Sequence, residues 1–162
     1  MTNQLLEELY QRHYGELYAY AYSLCQNHHL AQDLTSDTFY KALLSLEETD
    51  YVKFWLFRVC RNLYLDHVKR PDRIAEDWQV EKLTDATTPL DRLLRSEENR
   101  DLYHRIIALP LIYREVLVLY YFGGFSLTQI ARSQGKSYSS TKTNLFRARR
   151  RLKRAMEASD EL

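Results

Sequence analysis

The stretch SLTQIARSQGKSYSSTKTNLFRARRRL, residues 126–152, sets the reading of the whole chain. Ser126 followed three residues later by Gln129 matches a capping box, in which each residue's side chain binds the other's backbone N–H. A short helix carrying Leu127, Ile130 and Ala131 follows. Gly135 then permits the left-handed turn that closes a helix. Ser137 is placed to cap a second helix running to about Met156. A short helix, a glycine turn and a longer helix make the helix-turn-helix pattern, whose second helix enters the DNA major groove.

On a wheel at about 100° per residue, Thr141, Leu145, Ala148, Leu152 and Met156 share one stripe. Ser139, Thr143, Arg147, Arg150 and Arg154 lie opposite, flanked by Phe146. At about 1.5 Å rise per residue, Ser139 and Arg154 stand roughly 22 Å apart. A groove about 12 Å wide takes only part of that length at a steep angle. The first turns are therefore expected to meet base edges, and the later arginines phosphates or a protein surface.

The basic character is local. The chain has 162 residues and a formal net charge of only +1, from 23 Lys plus Arg against 22 Asp plus Glu. Residues 116–156 hold 9 bases and no acid, and residues 51–70 hold 5 bases and 1 acid. Residues 1–50 hold 8 acids and 2 bases. Near-neutrality thus conceals two basic patches that suit a polyanion and an acidic region that must face something else. With 45% hydrophobic and 13% aromatic residues, the chain can bury a core.

Helical spacing runs nearly throughout. Leu5, Leu9, Leu17 and Leu24 mark a first helix, and Ala31, Leu34, Thr38, Ala42 and Leu46 a second. Val52, Trp55, Leu56, Val59, Leu63 and Val68 mark a third, with Trp55 in the core; it ends before Pro71. Residues 71–89 are polar and bracketed by Pro71 and Pro89, which reads as a linker. Residues 90–108 look helical again, and Pro110 opens a segment with Tyr113, Val116, Leu117 and Tyr120 on one side. No alternating strand pattern stands out. The expected fold is all-α: two small helical domains, residues 1–70 and 96–162, joined by a flexible linker at 71–95.

Several function classes are disfavoured. There is no glycine-rich phosphate loop, no Gly-x-Ser-x-Gly and no HExxH. Cys25, His28 and His29 approach a metal cluster but lack further ligands at a recognised spacing, and read as a helix end with two surface histidines. His13, His67 and His104 stand isolated on helices. Cys25 and Cys60 read as core residues, which suits a reducing compartment. No run reaches the roughly 20 apolar residues of a membrane span, and no secretory signal opens the chain. A noncatalytic cytoplasmic protein without cofactor, metal or stable membrane insertion is expected.

The segment from Leu109-Pro110 through Tyr113–Leu117, Ile130-Ala131 and Arg147-Ala148-Arg149 resembles the promoter-reading domain of extracytoplasmic-function (ECF, group 4) sigma factors of bacterial RNA polymerase. Independently, DLTSDTFYKAL (residues 33–43) is similar to their polymerase-docking segment, and FWLFRVCRNLYLDHVKR (residues 54–70) to the stretch that opens the promoter. The resemblance covers all but about residues 71–95. It departs at Ser36, where the family commonly has Gln, at Gln129 where Glu is usual, and at Asn144 where Arg is frequent. Gln134, Lys136 and Thr141 replace apolar residues of the family's turn, which predicts weaker packing of the second helix.

The resemblance implies core RNA polymerase and promoter DNA, duplex and melted, as partners, with an anti-sigma factor covering the basic surfaces. It places polymerase docking at Asp33, Ser36, Asp37 and Tyr40, of which Asp33 and Asp37 lie one helical turn apart. Minus-ten DNA falls to Tyr51, Lys53, Arg58, Arg61, Asn62, Lys69 and Arg70, with a flipped base captured by the loop at about Leu46 to Val52. The minus-thirty-five element falls to Ser139, Lys142, Thr143, Phe146, Arg147 and Arg150. Two rivals stand beside this reading: a free-standing helix-turn-helix regulator, normally dimeric on paired half-sites, and an RNA-binding or interaction protein using the basic helix as a grip. Neither needs the motifs at residues 33–70.

Overall fold

A computed structural model describes residues 3–45, 51–70, 94 and 96–160. The chain divides into two compact units, residues 1–93 and 94–162. All regular structure among the described residues is helical. Of the expected linker at 71–95, Leu94 alone, with no more than the edge of the segment, is placed; it is buried in the second unit, and the rest lies outside the described residues.

The first unit is three mutually packed helices: α1 (Asn3–Cys25), α2 (His28–Ser45) and α3 (Val52–Val68). The second half of α1 is buried all round, from Leu17 through Cys25, because α2 and α3 cover it from two sides. Its first half leans on α2 through aromatic contact, with Tyr10 5.0 Å from the Phe39 ring and Tyr14 4.7 Å from Tyr10. The chain leaves α1 through Gln26, whose φ of 53° is unusual for a side-chain-bearing residue. Asn27 then starts α2 as its cap, Oδ1 accepting from the Leu30 N–H at 2.9 Å.

That junction corrects the reading of His28 as a surface residue. Its Nδ1 shares a 2.7 Å hydrogen bond with the Tyr18 hydroxyl, and its ring stacks 4.5 Å from Tyr22. A buried tyrosine needs a partner for its hydroxyl, and His28 supplies it. On α2 the buried Thr35 and Thr38 return their hydroxyls to the Ala31 and Leu34 carbonyls, both at 2.7 Å. The α3 stripe also needs correcting: the fully buried residues are Leu56, Phe57, Cys60 and Tyr64, while Trp55, Val59, Leu63 and Val68 are half-buried on its flank. Two helices bear on α3, and together they turn its inward face.

The first helix of the second unit opens at Ser96, whose Oγ accepts from the Asn99 N–H at 3.0 Å and starts α4 (Glu97–Ile107). Glu97 and Glu98 in the first turn, with His104 and Arg105 in the last, complement the helix dipole. Pro110 precedes α5 (Leu111–Leu117), which runs directly into a π turn at Val118–Phe122. The wider turn is closed by the Gly123 N–H bonding the Val118 carbonyl at 2.9 Å. Val116, Leu117, Val118 and Leu119 are all buried in succession where the two turns join. Helices α6 (Leu127–Gln134) and α7 (Tyr138–Asp160) complete the unit, α7 packing on α4, α5 and α6. Met156 does not continue the apolar stripe of α7: it is 41% exposed, because the helix outruns the body beneath it.

Candidate nucleic-acid interface

The helix-turn-helix is built by short-range bonds that the sequence encodes directly. The Gln129 N–H donates to Ser126 Oγ at 3.2 Å, and the Ser126 N–H to Gln129 Oε1 at 2.9 Å. Gln129 thus does here what a Glu would do. Gly135 sits at φ 64°, and the Lys136 N–H closes the turn on the Ala131 carbonyl at 2.9 Å. Ser137 Oγ accepts from the Ser140 N–H at 3.1 Å and starts α7.

Two of the polar turn residues, expected to weaken packing, have partners instead. Gln134 Nε2 donates at 2.9 Å to Oε1 of Glu115, a buried side chain of α5. Thr141 is 0% exposed, its hydroxyl returned to the Ser137 carbonyl at 3.0 Å. The turn is thereby tied to the helix behind it. Lys136 is exposed.

Helix α7 separates cleanly into two faces. Thr141, Asn144, Leu145, Ala148 and Leu152 point inward, and Asn144, where Arg is frequent in the resembling family, is buried. Ser139, Lys142, Thr143, Phe146, Arg147 and Arg150 are all exposed, Phe146 at 61%. Arg150 lies over Phe146, its guanidinium carbon 5.9 Å from the ring centre. An exposed aromatic beside an arginine and small hydroxyls offers apolar, cationic and hydrogen-bonding contact within two turns. That combination suits thymine methyls, base edges and phosphates.

The basic run is not uniform, and the sequence did not mark the difference. Arg149 Nε donates to the Tyr121 hydroxyl at 2.8 Å, with its guanidinium carbon 5.1 Å from the Tyr120 ring. Arg151 lies 4.8 Å over Tyr113. Both bind back onto their own unit across 28 residues of sequence or more, which spacing along one helix cannot reveal.

In the first unit, Arg58, Asn62, Lys69 and Arg70 are exposed along α3, and Arg61 is half-buried. Tyr51 precedes the helix and is 70% exposed. Lys53 turns toward α1, where its Nζ meets Glu16 Oε2 at 3.1 Å, with His13 Nδ1 at the ion-pair distance of 3.9 Å. Burial pushes the Glu16 carboxyl up, but His13 and Lys53 together outweigh it and hold the group below the ordinary carboxylate range. The base-capturing loop falls mostly on residues 46–50, which lie outside the described residues.

Asp33, Ser36, Asp37 and Tyr40 are all exposed on α2, Asp33 and Asp37 as their spacing predicts. They form a ridge between two unlike grooves. Asp33 and Asp37 line a polar groove of about 630 Å³ together with His29, Asp66, His67 and Arg70. Tyr40 lines an apolar groove of about 410 Å³ with Leu6, Tyr10, Phe39 and Leu43. Among the described residues no three His, Cys, Asp or Glu side chains are grouped to hold a metal. No helix among them is long and apolar enough to cross a membrane.

Comparison with known proteins agrees with this geometry in both units. The Sigma-70 region 2 family matches residues 9–74, and the family described as Sigma-70, region 4 matches residues 99–152. ECF RNA polymerase sigma factor SigM of Bacillus subtilis (strain 168) is 31% identical over 91% of this chain and 93% of its own length. RNA polymerase sigma factor YlaC of the same organism is 32% identical over 96% and 94%. Among solved structures, the sigma factor RpoE, crystallised with the anti-sigma factor NepR from Bartonella quintana, aligns with a TM-score of 0.74 at 26% identity. It covers 96% of this chain and 98% of that one. CnrH, in complex with the cytosolic domain of CnrY, shares the fold at a TM-score of 0.65 and 23% identity, covering 97% and 90%.

Proposed function

The chain belongs to the ECF sigma factors of RNA polymerase, and we propose that its two units divide the work of promoter use between them. Residues 1–70 dock on core polymerase and engage the minus-ten element, residues 71–95 link, and residues 96–162 read the minus-thirty-five element. Asp33, Ser36, Asp37 and Tyr40 form the docking ridge. Tyr51, Lys53, Arg58, Arg61, Asn62, Lys69 and Arg70 serve the opened strand. Ser139, Lys142, Thr143, Phe146, Arg147 and Arg150 serve the duplex. The observation that carries this division is that the three sets of side chains lie largely exposed, while the core of each unit is made from other residues.

The energetics follow from those side chains. Opening a duplex costs a few kcal/mol per unstacked base, with no nucleotide hydrolysis to supply it. Stacking a base on an aromatic such as Tyr51 returns about 1–3 kcal/mol, and the cations of α3 hold the backbone that has been pulled away. In the second unit, the exposed arginines give salt-dependent grip and the first turns of α7 give choice of sequence. The chain itself is noncatalytic and works in the cytoplasm, where polymerase and DNA are. The RpoE–NepR pair supports an anti-sigma factor as a further partner that covers the same surfaces.

Run-off transcription with purified core polymerase, with and without the chain, tests the reading. Initiation that requires the chain supports it; duplex binding without polymerase-dependent initiation returns the protein to a free-standing regulator. Asp33→Lys with Asp37→Lys sharpens the test. Reversing both charges should weaken capture of core polymerase by about several kcal/mol where they become desolvated, with helical content and duplex binding by α7 retained. Undiminished capture and transcription in the double variant would sink the docking ridge.

A further inference from the structure

The clamp on Arg149 has a geometry that packing alone does not require. Successive side chains on an α-helix diverge and do not face one neighbour together. Tyr120 and Tyr121 nevertheless both address Arg149, at 5.1 and 5.6 Å from its guanidinium carbon, with their rings 5.2 Å apart and nearly perpendicular. The π turn at Val118–Phe122 presents them this way. Tyr121 adds the directional contact, its hydroxyl accepting from Arg149 Nε at 2.8 Å.

Arg149 is placed to control the roll of α7. It lies seven residues, two turns, below Lys142 and three residues beyond Phe146, so it borders the outward face. A helix with side chains has a radius of about 5–6 Å, so a roll of about 10° carries an outward side chain about 1 Å sideways. Hydrogen bonds to a base edge do not survive such a shift without loss, whereas a cation near a phosphate tolerates it.

We propose that Tyr121, acting through Arg149, is a positioning residue for promoter discrimination: the clamp fixes the roll of α7 and with it the aim of Thr143, Phe146 and Arg147. The inference rests on the reading of α7 as the minus-thirty-five helix. Its signature is a loss of discrimination without a loss of grip.

The test uses the full chain with core polymerase on a library of promoters randomised at the minus-thirty-five position, scored by transcript abundance. Salt dependence and melting are recorded alongside. Tyr121→Phe keeps the ring and removes the hydrogen bond; Arg149→Lys keeps the charge and removes the planar cation. Each should flatten the preference between the best sequence and its single-base variants by about three- to tenfold, with melting and salt slope unchanged. Arg149→Gln should leave the salt slope unchanged as well. A slope reduced by about one, with equal loss on all sequences, would mean that Arg149 neutralises a phosphate, and would overturn the proposal. So would unaltered preferences in both conservative variants. Arg147→Gln serves as the control: if it too leaves preferences unaltered, the assignment of α7 fails, not merely the clamp.

Discussion

Replacing Gly123 with alanine would test the π turn where it is tightest. Gly123 has a φ of −78°, which any residue adopts, so the penalty is steric. An added Cβ would stand 2.7 Å from the Leu119 carbonyl oxygen and 2.8 Å from Cδ2 of Phe125. The carbonyl is backbone and already accepts from the Phe125 N–H at 3.1 Å, so moving it loosens that bond, worth about 1 kcal/mol net. The Phe125 ring is buried, and forcing it aside is overpacking, at about 1–3 kcal/mol. Together they predict a destabilisation of about 2–4 kcal/mol, a large share of what a unit of this size has to lose. Gly124→Ala is the matched comparison. Its φ is +72° with nothing within 4 Å of the new Cβ, so it costs only the left-handed strain, about 1–2 kcal/mol. Hydrogen exchange by mass spectrometry on the full chain, which reports each unit separately, would give both numbers. Equal costs for the two variants, or protection at residues 116–125 unaltered by Gly123→Ala, would refute the steric account.

Two other outcomes are expected. Arg147→Gln should reduce binding to some promoters by about 1–3 kcal/mol more than to others, whereas Arg154→Gln should weaken all about equally and lower the salt slope by about 0.9; affinities of the polymerase-bound chain at two salt concentrations separate the cases, and equal effects would refute the division of α7. Glu16→Gln should destabilise the first unit by about 0.5–1 kcal/mol at neutral pH, a modest figure because the pair with Lys53 is partly exposed. Since folding lowers the Glu16 pKa, that stability is present above the ordinary carboxylate range and is lost as pH falls through the folded value, so urea midpoints of the two proteins should converge as the solution is acidified below that range.

What could be read from the sequence was what short-range chemistry determines. The capping box at Ser126 and Gln129, the left-handed Gly135 and the Ser137 cap involve residues at most five apart, and each forms as expected. The exposure of Asp33 and Asp37 followed equally from helical spacing. Contacts between distant segments were illegible. Nothing in Val-Leu-Tyr-Tyr-Phe marks a π turn, whose closing bond comes from the Gly123 N–H beyond those five residues. A wheel also assumes one partner per helix. That assumption misplaced Trp55, since α3 answers to two neighbours, and Met156, which is 41% exposed near the end of α7. Polar residues suffered most: Gln134 and Thr141 looked like defects until Glu115 and the Ser137 carbonyl supplied their partners.

The two faces of α7 share no residue, and this bears on how such a protein can change. Thr141, Asn144, Leu145, Ala148 and Leu152 hold the helix in its unit, while Ser139, Lys142, Thr143, Phe146 and Arg147 contribute nothing to the buried core. Retargeting therefore needs no refolding: an exchange on the outer face leaves core volume untouched and costs little stability. A duplicated copy of the gene could change that face one substitution at a time, every intermediate being a folded protein whose other unit is untouched.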